Sequence, residues 1–291
     1  MAEPTPDLTG RTIVLTGASR GIGRAAAVAL AEMGASLILV SRRQADVDAV
    51  AADVRARTGR RAPVLPLSAD LSSLASVRVL AERVRAEVPA VDVLINNAGT
   101  LMPRRSVTVD GHETTFAVNH LAYFLLTQEL MPALQAAPAA RIVNVASEAH
   151  QGASVAWDDP MLERGYGANK AYAQSKLANV MFTYALARRL QGTAMTANAL
   201  HPGVIATKLL ADYVGVPFVS HAITRLVGGT PEEGADTIVW LASSPAVALV
   251  SGQYFIKKRP TRSSRVSYHV ESQERLWELS QRLVEQGATV T

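Results

Sequence analysis

A chain of 291 residues, 48% of them apolar, is long enough to bury one large core, and a formal charge of +4 spread along it does not mark a nucleic-acid binder. Without cysteine there is no disulfide framework, thiolate metal site or cysteine nucleophile, and the six histidines show no His-Glu-x-x-His pairing, so no metal is expected. Met1 to Gly10 is polar and no apolar run approaches the ~18 residues of a spanning helix, so a cytoplasmic protein without a membrane span is expected.

Thr12 to Thr16 is a short apolar run that leads into Gly17-Ala18-Ser19-Arg20-Gly21-Ile22-Gly23 and then an alanine-rich helix toward Met33. Strand, glycine turn and helix in that order suit a pyrophosphate, because glycine admits close backbone approach and the helix N-terminus presents unpaired N–H groups. Ser36 to Ser41 reads as a second strand. Its end carries Ser41-Arg42-Arg43 where an acid would bind a free ribose 2′-hydroxyl, so Arg42, helped by Arg20, is expected to hold a 2′-phosphate. That favours NADP over NAD.

Helical material over 44–58 precedes a third strand at Ala62 to Leu67, followed by Asp70-Leu71-Ser72. Asp70 can receive an adenine amino group or cap the helix Leu74 to Val88. Val91 to Ile95 is strand four, and Asn96-Asn97-Ala98-Gly99 suits a backbone passing beneath a cofactor. Gly111 to Leu134 reads as one long helix in which Asn119 is an amide among apolar neighbours. Such a group needs partners, found by bending the helix or holding a water.

Arg141 to Ala146 is strand five, with Ser147 at its end. The following helix carries Leu177, Val180, Met181, Tyr184 and Ala185 at helical spacing, a single buried stripe with Tyr172 and Lys176 stacked four residues apart beside it. At ~4 Å and an effective dielectric of ~20 a cation favours a phenolate by up to ~4 kcal/mol, which makes Tyr172 a proton donor suited to carbonyl and alcohol chemistry. Tyr166 and Lys170 satisfy the same spacing, but Gly165 and Gly167 disfavour a helix there, which leaves Tyr166 as a substrate contact.

Met195 to Leu200 is strand six, ending in His201-Pro202-Gly203-Val204-Ile205-Ala206-Thr207. Residues 208–229 hold an apolar insertion expected to be a substrate lid. Thr230-Pro231-Glu232-Glu233 opens a helix to about Ala242, Gly252 to Ile256 is a last strand, and 271–284 is an amphipathic terminal helix. The basic cluster Lys257, Lys258, Arg259, Arg262 and Arg265 reads as a solvated loop. Alternating strands and helices predict an α/β fold: a tail over 1–8, then one domain over 9–291 built on a doubly wound parallel sheet of about seven strands with helices on both faces.

Taken in order, Thr16 to Gly23, Asp70, Asn96 to Gly99, Asn119, Ser147, Tyr172 with Lys176, and Pro202-Gly203 with Thr207 resemble the short-chain dehydrogenase/reductase family over about residues 9 to 256. Ala171 to Asn179, Leu200 to Val204, Ser251 to Tyr254 and Leu276-Trp277-Glu278 resemble its retinol dehydrogenase and WW-domain oxidoreductase branch. The resemblance implies a Rossmann-type fold and an NADP(H)-dependent oxidoreductase of an apolar alcohol and its ketone or aldehyde. In it Tyr172 is the acid/base, Ser147 binds the substrate oxygen, Lys176 holds the ribose and Asn119 supports a water relay.

Gly17, Ser19, Arg20, Gly21, Ile22, Gly23, Arg42, Asp70, Leu71, Asn97, Ala98, Gly99, Tyr172, Lys176, Pro202, Gly203, Val204 and Thr207 would line the cofactor. Trp157, Asp158 and Asp159, in the gap after Ser147, would border the substrate. Two rivals remain. One is a nucleotide-sugar epimerase or dehydratase, disfavoured by the G-x-x-x-G-x-G spacing and the short C-terminal region. The other is an NADP(H) sensor without turnover, which a carbonyl panel would separate. Substrate identity, direction and homo-oligomerisation stay open.

Overall fold

The computed structural model describes residues 5–59, 63–204 and 229–286. One sheet carries β1 (Thr12–Thr16), β2 (Ser36–Ser41), β3 (Val64–Ser68), β4 (Val93–Asn96), β5 (Arg141–Val145), β6 (Thr196–His201), β7 (Tyr254–Ile256) and β8 (Arg259–Pro260). Its spatial order is β3-β2-β1-β4-β5-β6-β7-β8, parallel throughout except for the antiparallel β7–β8 pair. The order reverses between β1 and β4, which opens a crevice at the carboxyl ends of the strands.

Both sheet faces are covered, so strand residues alternate between two buried sides. Val14, Ile38 and Leu94 face α3 (Leu74–Glu87), α5 (Ala122–Glu129) and α7 (Ala168–Arg189). Ile13, Leu15, Leu37 and Leu39 face α1 (Gly21–Glu32), α2 (Gln44–Thr58) and α8 (Pro231–Ser243). This double burial explains why the strands read as continuous apolar runs. Helix α8 starts on a capping box between Thr230 and Glu233, as the Thr-Pro-Glu-Glu run predicts.

Four expectations need correction. The eighth strand arises because Lys257 and Lys258 both take positive φ, 48° and 61°, the pair a two-residue hairpin of the I′ kind requires; neither is the Gly or Asn that would have signalled it. The predicted long helix over 111–134 is instead a turn at Gly111, α4 (Thr114–Phe116), a π turn (Ala117–Leu121), α5 and α6 (Met131–Gln135). Both Glu113 carboxylate oxygens cap it, accepting from the N–H groups of Thr115 and Phe116 at 2.8 and 2.7 Å. Helix α7 has no single stripe: Ala171, Tyr172 and every residue from Gln174 to Ala187 are buried. Asp70 does not cap α3. Ser73 does, while Asp70 accepts from the N–H and hydroxyl of Ser72.

The last helix, α9 (Val270–Gln286), lies against α7. Glu274 pairs with Arg188 and Arg189 at 2.6 and 2.5 Å, and their hydrogen bonds, Arg189's first, hold its carboxyl down at about 2. Trp277 takes the Arg189 guanidinium 3.8 Å from its ring centroid and meets Phe124 edge-on at 5.0 Å. Among the described residues no helix is long and apolar enough to cross a membrane, and no cluster of three acidic or histidine side chains could hold a metal.

Candidate active site

A cleft of about 1350 Å³ runs along the carboxyl edge of the sheet. At one end lies the turn between β1 and α1. Gly17 has a φ of +70°, and a Cβ on it would sit 2.7 Å from the Ala98 Cα, so the turn tolerates only glycine. Asn97 ties this turn down, its Nδ2 donating to the carbonyl oxygens of Thr16 at 2.9 Å and Gly17 at 3.3 Å. The Thr16 hydroxyl accepts from the N–H groups of Asn97 and Ala98. Asn97 therefore shapes the floor. Among the described residues no side chain caps α1, and no acid lies in its first turn, which leaves its N-terminal N–H groups available at the cleft for an anion.

Arg42 lines the same end and makes no ion pair among the described residues, whereas Arg43 is held by Asp46 at 2.8 Å. A free guanidinium and an uncapped helix end fit a pyrophosphate with a further phosphate beside it. Arg20, Asp70 and Leu71 also line the cleft.

The other end holds the catalytic candidates. Ser147 lies two residues beyond β5 and caps the short turn Glu148–His150, its Oγ accepting from the Ala149 N–H at 3.2 Å and leaving its own proton to donate. Tyr172 and Lys176 lie on α7 with the Lys176 ammonium 5.6 Å from the Tyr172 ring centroid and 5.8 Å from that of Tyr123. Lys176 donates to the Val145 carbonyl at 2.9 Å, and burial pulls it down to about 7.

Asn119 sits in the π turn behind this group and does not line the cleft. Its Oδ1 accepts from the Thr100 N–H at 2.7 Å, and its Nδ2 donates to the Thr100 carbonyl at 2.9 Å and the Ser175 hydroxyl at 3.0 Å. The buried amide finds its partners because the helix opens by one residue there. Pro202, Gly203 and Val204 line the cleft; Thr207 and all but the last residue of the lid expected over 208–229 lie outside the described residues.

Trp157, Asp158 and Asp159 do not border the cleft, contrary to expectation. Trp157 stacks under Arg275 of α9 at 4.6 Å, and Asp159 accepts from the N–H groups of Glu163 and Arg164. Tyr166 is likewise one step removed, its hydroxyl donating to the Met102 carbonyl at 2.6 Å, while Met102 itself is in the wall. Sequence reasoning missed Tyr123, whose hydroxyl donates to the Ala98 carbonyl at 2.6 Å, and the apolar wall of Leu101, Met102, Pro103 and Val118. No local pattern marks them, although Ser175 could have been noticed as the hydroxyl beside Lys176.

The short chain dehydrogenase family profile matches residues 11–214. The chain belongs to the short-chain dehydrogenase family. Within it, the chain is 37% identical over 291 residues to human retinol dehydrogenase 14, covering 94% of this chain and 86% of that protein. It is 39% identical over 284 residues to human retinol dehydrogenase 13, covering 95% and 85%. A structure of an uncharacterised Mycobacterium paratuberculosis protein superposes with a TM-score of 0.79 at 32% identity, covering 97% of this chain and 96% of that one. A short-chain dehydrogenase from Escherichia coli CFT073, solved with NADPH, gives 0.69 at 26% identity, covering 88% and 100%. These likenesses make the chain an oxidoreductase of the retinol dehydrogenase branch.

Proposed function

We propose that the protein is an NADP(H)-dependent oxidoreductase that interconverts an apolar alcohol and its ketone or aldehyde. The observation that carries this reading is one continuous cleft with, at one end, an uncapped helix end and an Arg42 that has no ion pair among the described residues, and Ser147, Tyr172 and Lys176 at the other. When bound, the nicotinamide supplies or accepts hydride. The residues of the chain do the rest.

Arg42 and Arg20 hold the 2′-phosphate, the first turn of α1 meets the pyrophosphate, and Lys176 takes the ribose hydroxyls while holding positive charge beside Tyr172. The Ser147 hydroxyl donates to the substrate oxygen without adding charge, and Tyr172 gives its phenolic proton to that oxygen as negative charge develops, or removes it in the oxidative direction. Asn119 keeps the loop at Thr100 in register with α7. Leu101, Met102, Pro103 and Val118 give the substrate side an apolar wall and favour exclusion of water.

The test is a panel of long-chain aldehydes, ketones and secondary alcohols with both nicotinamide cofactors, alongside fluorescence titration. NADPH should bind more tightly than NADH, and Arg42→Asp should reverse the order by removing a phosphate partner and adding a repulsive charge. Tighter NADH binding in the native protein, or turnover confined to small charged hydroxy acids, would overturn the assignment.

A further inference from the structure

Two histidines that the chemistry above does not use hold the loop that carries Ser147, and one of them, His201, itself lines the cleft. His201, the last residue of β6, is buried and reaches across to the loop after β5. Its Nδ1 accepts from the Glu148 N–H at 3.3 Å, which puts the ring proton on Nε2, and Nε2 lies 3.1 Å from the Glu148 carboxylate. One ring thus grips the residue after Ser147 by both its backbone and its side chain. His150 holds Ser147 from the other side, with Nδ1 2.5 Å from the Ser147 carbonyl while Nε2 accepts from the Ser264 N–H at 3.0 Å.

We infer that His201 is a positioning residue for Ser147: its neutral ring clamps Glu148 and thereby ties the loop carrying the catalytic hydroxyl to the Pro202-Gly203 loop that follows the neighbouring strand β6. This rests on the assignment of Ser147 as the group that binds the substrate oxygen. The clamp works in one protonation state alone. A second ring proton would convert Nδ1 from acceptor to donor and expel the Glu148 N–H. The titratable groups facing the ring are Glu148 and His150 from the loop after β5 and Lys176 from α7, while its register partner on β7 is Ile256. Burial favours the neutral ring, Glu148 opposes that, and His150 and Lys176 reinforce it. Acid therefore releases the clamp and sets a second cation near Lys176.

The experiment compares His201→Leu, His201→Asn and Ser147→Ala with the native enzyme on its best carbonyl substrate, recording kcat, KM, NADPH affinity and the pH profile. Native kcat/KM should fall on the acid side of the ordinary histidine range, since burial lowers His201. His201→Leu should lose roughly tenfold in kcat, the scale of a misplaced reacting group, with NADPH affinity held within about twofold. His201→Asn, whose amide oxygen can still accept from the Glu148 N–H but does not titrate, should recover most of that loss at pH 7.5 and lack the acid limb. Native kcat in a folded His201→Leu, loss of NADPH binding in place of turnover, or an unchanged acid limb in His201→Asn would overturn the inference. Where His201→Leu fails to fold, the acid limb of His201→Asn decides. A fully active Ser147→Ala would overturn the site assignment beneath it, whereas an inactive Ser147→Ala beside a fully active His201→Leu rejects the clamp alone.

Discussion

Two segments six residues apart carry the same Tyr-x-x-x-Lys pattern and meet opposite fates. Tyr166 precedes α7, its hydroxyl is committed to the Met102 carbonyl, and Lys170 in the first turn of the helix is exposed. Tyr172 and Lys176 are one full turn inside the same helix, both buried, and both open onto the cleft. Burial makes the difference. An exposed ammonium is screened by water and does little to a neighbouring phenol, whereas Lys176, drawn down to about 7 by loss of water, has its charge and hydrogen bonds focused on few partners.

The largest effect that can break this comparison comes from Tyr172→Phe. It preserves the ring and removes the proton donor, so turnover should fall by ~10²-fold or more with cofactor affinity barely changed. Steady-state rates at saturating cofactor, with Tyr166→Phe assayed beside it, check this. Full activity in Tyr172→Phe together with an inactive Tyr166→Phe would move the catalytic centre upstream.

Lys176→Met should come next, lowering turnover by roughly 10- to 100-fold, within the range of a lost acid/base or electrostatic partner. NADPH binding should weaken at the same time, because in the proposed mechanism one charge serves both the ribose and the phenol. Lys170→Met should change neither. Equal losses in the two lysine variants would remove the distinction between buried and exposed pairs.

The buried platform under Tyr172 and Lys176 also carries a stability signature. His120, in the π turn beside Asn119, is fully buried between Ser280 of α9 at 2.8 Å and Asn179 of α7 at 3.4 Å, and burial pulls it down to about 4. The unfolded chain binds this proton below pH ~6.5 while the folded chain resists it, so stability holds above that value and is lost as pH falls toward 4, by about 3 kcal/mol in all. Urea midpoints at pH 7.5 and 4.5 should separate by more in the native chain than in His120→Gln. Identical separations would place the pH sensitivity elsewhere.

Tyr166→Phe gives the smallest effect. It leaves the Met102 carbonyl without its donor, which should cost about 1 kcal/mol of stability and raise KM a few-fold as the wall relaxes, with kcat unchanged. A tenfold loss in kcat would show that Tyr166 takes part in the chemistry.

Local order was legible wherever one short stretch supplied the reason for its own conformation. The strand, glycine turn and helix from Thr12 to Glu32, the threonine cap and proline of α8, and the alternating α/β order all follow from backbone freedom, capping chemistry and apolar runs that neighbouring residues carry. The replacement of an acid by Arg42 at the end of β2 was equally visible, since it is a matter of residue identity at one position. Asn119 could be singled out as a buried amide, but its partners Thr100 and Ser175 lie 19 and 56 residues away.

Tertiary structure decided the remainder. A helix buried on every side, as α7 is, leaves no amphipathic stripe to count, and its burial comes from the sheet beneath, α4 and α9 outside, and the loop after β5. The hairpin at Lys257 and Lys258 takes a backbone conformation that lysine does not advertise, and Trp157 faces α9 because Arg275 arrives from more than a hundred residues on. The grip of His201 on Glu148 joins the end of β6 to the turn after β5, 53 residues apart in the chain. Propensity and motif act over a few residues, whereas dielectric, hydrogen-bond partners and the walls of a cleft are properties of whatever the fold brings alongside, and those are the quantities that separate Tyr172 from Tyr166.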